Sequence, residues 1–281
     1  MRSILIILFI IPLFSFAQKA QTPENIVDLI KKNVTCQWQD ETVDTFKAGD
    51  PKSEITGIAV CMFADMATLQ RAVEMNCNFI ITHEPIFYSH LDETDTFTND
   101  PVYLEKRKFI EDNKLTVFRF HDHIHSTSPD GIYEGMLNKL GWRKYAVKDS
   151  PLYFKMPKTN ISDFAEQLKE KLGLESIRLV GNGEMEFTKV GLAVGAPGGP
   201  RHIKMLRQDN VEVMVAGEAS EWETYSYVND AAAQGKTKAV LFLGHVKSEE
   251  AGMEYCAEWL QGFVKDTPIH FIENELNFTE L

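Results

Sequence analysis

Residues 79–85, Phe79-Ile80-Ile81-Thr82-His83-Glu84-Pro85, decide how this chain is read. A run of strand-forming apolar residues stops at a histidine beside a glutamate, and the proline that follows cannot donate to a sheet ladder. Such a stop is either a capped turn or the rim of an active site. In open α/β sheets the functional crevice lies beyond the carboxyl ends of the strands, so the useful question is what each strand runs into.

Three other apolar runs give the same answer. The run 115–120 meets His121-Asp122-His123-Ile124-His125, 211–216 meets Gly217-Glu218, and 238–243 meets Gly244-His245 with Glu249 one turn further on. Five of the eight histidines therefore fall directly after strands, whereas His90, His202 and His270 read as surface or satisfied core residues. Further strands are expected at 55–63, 152–156, 177–180, 190–194 and 269–272. Amphipathic helices are expected at 24–32, 67–75, 101–113, 131–140, 161–172, 221–233 and 249–263. This alternation is that of an α/β protein. Turn-rich punctuation at 148–151 and 195–200 divides it into a first part, 18–150, and a second, 151–281, made of a middle segment and a closing part.

Bulk properties narrow the function. Forty-one acidic against 29 basic residues give a formal charge of −12, which argues against a general nucleic-acid binder and suits a protein that attracts cations. The four cysteines (Cys36, Cys61, Cys77, Cys256) lack any Cys-x-x-Cys spacing, so either disulfides or buried free thiols are open. Met1-Arg2-Ser3, the apolar run 4–16 and Ser15-Phe16-Ala17 read as a secretory leader over residues 1–17. The run is about a third shorter than the ~20 residues of a membrane span and contains Pro12. The expectation is an exported protein, periplasmic or extracellular, not membrane-bound once the leader is removed.

His121, His123 and His125 alternate, so in an extended chain all three share one face. A metal ion or a carboxylate would be the counterweight to three imidazoles. His245 and Glu249, four apart, can reach one site if the chain is helical there, although such pairs also decorate solvated helix faces. Mixed nitrogen and oxygen donors suit Zn, Mn, Fe or Co better than Ca or Mg. His83, Glu84, His125, His245 and Glu249 already outnumber the three protein ligands of a typical catalytic zinc before Glu218, His121 or His123 is counted. Two divalent ions bridged by a carboxylate or water would use them all, and two-metal chemistry is usually hydrolytic.

In order and spacing, Ile-Thr-His83-Glu84-Pro, His121-Asp-His-Ile-His125, Ala-Gly217-Glu218-Ala-Ser-Glu221 and Gly244-His245-Val-Lys-Ser-Glu249 resemble the NIF-three-like dinuclear-metal family, whose members are often described as GTP cyclohydrolase I type 2 homologues. The resemblance runs from about Ile26 to the C-terminus and is most specific from Gly217 to Glu249. It implies two similar α/β halves enclosing a dinuclear metal cleft, a toroidal homohexamer, and His83, Glu84, His125, His245 and Glu249 as ligands. The family's first motif usually reads His-His and its second His-x-x-x-Asp. Here Glu84 and His125 exchange the two types, which preserves three histidines and two carboxylates. His121 matches the first histidine of the second motif and is expected, with His123, to orient ligands or line the cleft. Glu218 and Glu221 are the candidate general bases, the bland reading of Glu218 being a charge at a helix N-terminus. The glycine loop 195–199 is a sharp turn or a phosphate cradle. These readings lead to a metal-dependent hydrolase of a small molecule, with a non-enzymatic metal-handling protein as the alternative and GTP cyclohydrolase as a third reading resting on the family name.

Overall fold

The computed structural model describes residues 21–275; the leader expected over 1–17 lies outside them. The strands are β1 (Phe46–Ala48), β2 (Ile58–Cys61), β3 (Phe79–Thr82), β4 (Thr116–Arg119), β5 (Ala146–Val147), β6 (Ser150–Asn160), β7 (Arg178–Val180), β8 (Glu186–Ala193), β9 (Val213–Ala216), β10 (Ala239–Phe242) and β11 (Ile269–Phe271). The helices are α1 (Pro23–Asn33), α2 (Met66–Glu74), α3 (Pro101–Asp112), α4 (Asp122–Ser126), α5 (Gly131–Leu140), α6 (Ile161–Leu172), α7 (Gly199–Leu206), α8 (Ser226–Ala233) and α9 (His245–Gln261). A π-helical turn, Glu221–Tyr225, leads into α8.

The expected α/β architecture is the one found, as two sheets. The first is five-stranded, in the order β1-β4-β3-β2-β11, and the second six-stranded, in the order β5-β6-β8-β9-β10-β7. β11, β2, β3 and β4 run parallel to one another, and so do β8, β9 and β10. Parallel strands are covered on both faces and need apolar residues at every position. Ile58-Ala-Val-Cys, Phe79-Ile-Ile-Thr and Val213-Met-Val-Ala are buried throughout accordingly. Alternation then sorts the side chains by face. Ile58, Val60, Phe79, Ile81 and Phe118 of the first sheet join Val213, Val215 and Leu241 of the second in one cluster with α1, α5, α6 and α9. Ala59, Cys61, Ile80 and Val117 face α2 and α3 on the far side, while Met214, Ala216 and Val240 face α7 and α8. Each large apolar side chain so buried contributes about 1.5–3 kcal/mol.

Between the sheets α5 and α9 touch backbone to backbone. A Cβ on Gly135 would lie 2.0 Å from the Ala251 carbonyl oxygen, so only glycine fits at this crossing. Local signals set the helix ends. Thr22, Asp100, Asp130 and Asn160 cap α1, α3, α5 and α6 through their side chains, and Gly141 and Gly173 close α5 and α6 in the left-handed conformation.

Several details depart from the sequence reading. β1 and β5 are too short to show a period, and α7 follows so closely on the 195–200 turn that its start, Gly199-Pro200, reads as part of it. The largest departure is at 121–125, which is not extended but helical. The four cysteines are free, three of them buried. No helix among the described residues is long and apolar enough to cross a membrane.

Candidate metal centre

The carboxyl ends of β3, β4, β9 and β10 deliver four segments to one place. His83 follows β3 directly and is fully buried. Its Nδ1 lies 3.2 Å from the Phe120 carbonyl oxygen, to which it donates, so Nε2 is the nitrogen left to act as a ligand. That Nε2 is buried without a hydrogen-bond partner, 3.6 Å from Glu249 Oε2. Glu84 places Oε1 3.2 Å from His245 Nε2 and 3.8 Å from His121 Nε2, and Oε2 3.5 Å from Arg119 Nη2.

Asp44 explains why 121–125 turns helical. One carboxylate oxygen accepts from the backbone amides of His121 (2.6 Å) and Asp122 (2.9 Å), the other from His123 (2.9 Å), so three orphan donors of α4 are satisfied at once. In a helix residues four apart share a face and the one between them does not. His121 and His125 accordingly meet His83, with ring centroids 4.5 and 5.1 Å away. His123 points elsewhere: it stacks on Trp38 at 3.7 Å, donates from Nδ1 to Asp44 at 2.7 Å, and accepts the Gln39 amide on Nε2 at 2.9 Å. Its role is to fasten the 38–44 segment beside the cleft, and the expectation of three imidazoles on one face is corrected to two.

His125 donates from Nδ1 to Asp130 at 3.1 Å, with Nε2 3.8 Å from Glu249 Oε1. His245 opens α9, so it and Glu249 are one turn apart, and its Nε2 lies 3.1 Å from Glu249 Oε2. Glu218, after β9, approaches His245 Nδ1 at 3.6 Å with its side chain half exposed. Glu221 begins the exposed π-helical turn and neither lines the cleft nor contacts the cluster. His90, read as a surface or satisfied core residue, is exposed and borders the same cleft.

The electrostatics are those of a site whose protons stand in for cations. Burial pushes the Glu84 carboxyl up, but the hydrogen bond from His245 and the charges of His83, His245 and His121 outweigh it and hold it at about 2. Burial likewise opposes ionisation of Glu249, and contacts with His245 and His83 drive it further below the usual carboxylate range. Burial works against an imidazolium at His245, yet hydrogen bonds to Glu218, Glu249 and Glu84 raise it to about 12. His121 is pushed down to about 4 by burial and by His83.

Two features escaped sequence reasoning. Arg119, the last residue of β4, is completely buried; it donates to the carbonyl oxygens of His83 (3.1 Å) and His90 and pairs with Glu84. The available signal was an arginine inside the apolar run 115–120. Asp44 and Asp130 orient the second-motif histidines from distant or loop positions that show no pattern of their own.

His83, Glu84 and Glu249 present ligand atoms within 4.8 Å of one another, and so do His83, His121 and His125. These residues fit a metal ion. The buried, partnerless Nε2 of His83, the histidines held through Nδ1 by a carbonyl or a carboxylate, and two buried carboxylates form a nitrogen–oxygen donor set with its outer partners already in place.

The fold and this cluster define an α/β protein with a buried His/Glu group at its strand ends that could bind a metal. Residues 23–277 match the Duf34/NIF3 (NGG1p interacting factor 3) family, and the chain belongs to it. It is similar to the GTP cyclohydrolase 1 type 2 homolog of Clostridium acetobutylicum, 24% identical over 244 residues that span 82% of this chain and 87% of that protein. Among solved structures, Staphylococcus aureus hypothetical protein SA1388 superposes with a TM-score of 0.73 at 13% identity, over 94% of this chain and all (100%) of that one. A Bacillus cereus protein related to NIF3 gives 0.72 at 13% identity over 94% and 100%. At these identities the likeness speaks for the fold.

Proposed function

We propose that the chain is a metal-dependent hydrolase of a small molecule, using two divalent ions drawn from Zn, Mn, Fe and Co. The observation that carries this reading is the division of Glu249, whose Oε1 faces His125 while Oε2 faces His83 and His245. One carboxylate with its two oxygens turned to different imidazoles would leave room for more than one ion, and this supports the two-metal reading. His83, Glu84, His125, His245 and Glu249 would hold them, with His121 beside Glu84. Bound divalent ions supply Lewis acidity toward a substrate oxygen.

The chain's own residues supply the rest. Arg119 and Asp130 fix Glu84 and His125 from behind. The cleft over the cluster has a volume of about 910 Å³, which suits a small molecule. Glu218, beside His245 Nδ1 at 3.6 Å and partly solvated, takes the proton of the attacking nucleophile on a carboxylate oxygen; Glu221, on the exposed turn, is assigned no step. In the same reading the protein works outside the cytoplasm, as a homohexamer, without nucleic acid.

The test is metal content by mass spectrometry for wild type and His245→Ala, followed by ester, amide and phosphate substrate screens. His245→Ala should lose metal, and Glu218→Gln should keep it while turnover falls about 10²–10⁴-fold. A metal-loaded wild type that turns over none of these, with Glu218→Gln indistinguishable from it, would leave a metal-handling protein. Formate release from GTP would instead favour the reaction in the relatives' name.

A further inference from the structure

Carboxylates from the His/Glu cluster line much of the cleft, but α7 brings cations to it. Arg201, Lys204, Met205 and Gln208 all line it. They stand at positions i, i+3, i+4 and i+7, so α7 and the residues just after it present one continuous face to the cleft. Among the described residues neither Arg201 nor Lys204 forms an ion pair. In a chain of net charge −12, two cations left unneutralised on the same face of a cleft stand out against the background.

That face is held firmly in place. His202, on the other side of α7, is fully buried and bonds through Nδ1 to Thr224 Oγ1 at 3.1 Å, which ties the helix to the π-helical turn. Leu206 is wholly buried against the second sheet. The cations are therefore carried on a rigid element and not on a loop.

We propose that Arg201 and Lys204 form an anion subsite for a phosphate monoester group, so that the substrate of this cleft is a phosphorylated small molecule whose phosphate lies on α7 while the rest reaches the His/Glu cluster. The inference rests on the cleft being the substrate site. Charge selects phosphate: two unpaired cations match a dianion, whereas a carboxylate would leave one of them unsatisfied. Geometry agrees, because guanidinium presents a fork of donors to phosphate oxygens, lysine adds a point charge, and Gln208 provides a neutral donor at the end of the row. The carboxylate wall formed by Glu84, Asp130 and Glu249 would repel the same group, which orients the ligand along the cleft.

The experiment titrates inorganic phosphate, and acetate as the monoanion, into metal-loaded wild type, Arg201→Gln, Lys204→Gln, the double variant and His245→Ala by calorimetry. Both positions are exposed, so the variants should fold and retain metal. The expected result is phosphate affinity about tenfold weaker for each cation removed, at unchanged metal content, with acetate much weaker than phosphate in wild type. Unchanged phosphate affinity in the double variant, or its loss only in His245→Ala, would place phosphate at the ions and overturn the subsite. Acetate binding as tightly as phosphate would overturn the dianion assignment. If the hydrolase screen fails while the phosphate series behaves as expected, the subsite stands on a protein that binds without turnover.

Discussion

Gly195 and Glu249 meet so closely that a Cβ on the glycine would lie 2.2 Å from Glu249 Oε1. The loop after β8 therefore packs backbone against the carboxylate that His83, His125 and His245 all address. Gly195 also has φ +65° and donates its amide to Ser248 Oγ at 2.9 Å. Gly195→Ala should displace Glu249 and empty the site, besides costing about 1–2 kcal/mol for the left-handed backbone. Gly141→Ala is the control, because φ is +69° with nothing within 4 Å. It should show the backbone cost in a thermal melt but keep its metal by mass spectrometry; loss of metal in both would mean that crowding at Glu249 is irrelevant.

Asp130 separates orientation from stability. One of its oxygens accepts from the amides of Ile132 (2.9 Å) and Tyr133 (3.1 Å) as the cap of α5, and the other from His125 Nδ1. Asparagine caps as well as aspartate, so Asp130→Asn should leave stability within about 0.5 kcal/mol. Metal affinity should fall about 10–100-fold, because the imidazole loses its charged anchor. Competition with a chromophoric chelator measures it, and undiminished affinity would show that His125 needs no orienting.

Metal uptake should release protons. His245, raised to about 12 by its carboxylate neighbours in the metal-free protein, must lose its proton before it can ligate. His121, held near 4, is already neutral at pH 7 and gives up none. Apparent affinity therefore rises with pH, and calorimetry in buffers of differing ionisation enthalpy should count at least one proton released. The fold's own pH dependence follows with opposite signs. Glu84, lowered from 4.5 to about 2, stabilises the metal-free protein above pH 4.5 and ceases to as the pH falls toward 2. His245 contributes fully below pH 6.5, and that contribution fades as the pH climbs toward 12. Urea midpoints of the metal-free protein should decline toward both extremes; a midpoint that rises below pH 4.5 would contradict the Glu84 assignment.

Arg119→Met tests the buried cation behind the site. The guanidinium lies 3.5 Å from Glu84 and 3.8 Å from Asp92 with no solvent exposure. Removing it takes the buried cation from Glu84 and Asp92, which keep His245 and Lys47 as partners, and leaves two backbone carbonyls without their donor. The expected loss is about 3–5 kcal/mol, read as a lower urea midpoint at unchanged slope. A variant as stable as wild type would mean that the carboxylates find other partners.

The sequence by itself determined the α/β class, most of the strands and most of the helices. It also determined that histidines and carboxylates gather at strand ends. These are properties of local periodicity and of which residue follows which, and the four buried residues of β3 before His83 are their clearest case. The spacing of His245 and Glu249 allowed them one site, but that α9 starts at His245, four residues before the expected helix, was decided by the structure. Only the tertiary structure decided which side chains converge. The face that His121, His123 and His125 present depends on whether that segment is strand or helix, and Asp44, far away in the chain, decides it by capping α4. Arg119 became a partner of Glu84 because β3 and β4 are adjacent and parallel, and Arg201 and Lys204 came to line the same cleft because the second sheet carries α7 there. Such pairings are set by sheet order and packing across distant segments, which leave no trace in the spacing of residues along the chain.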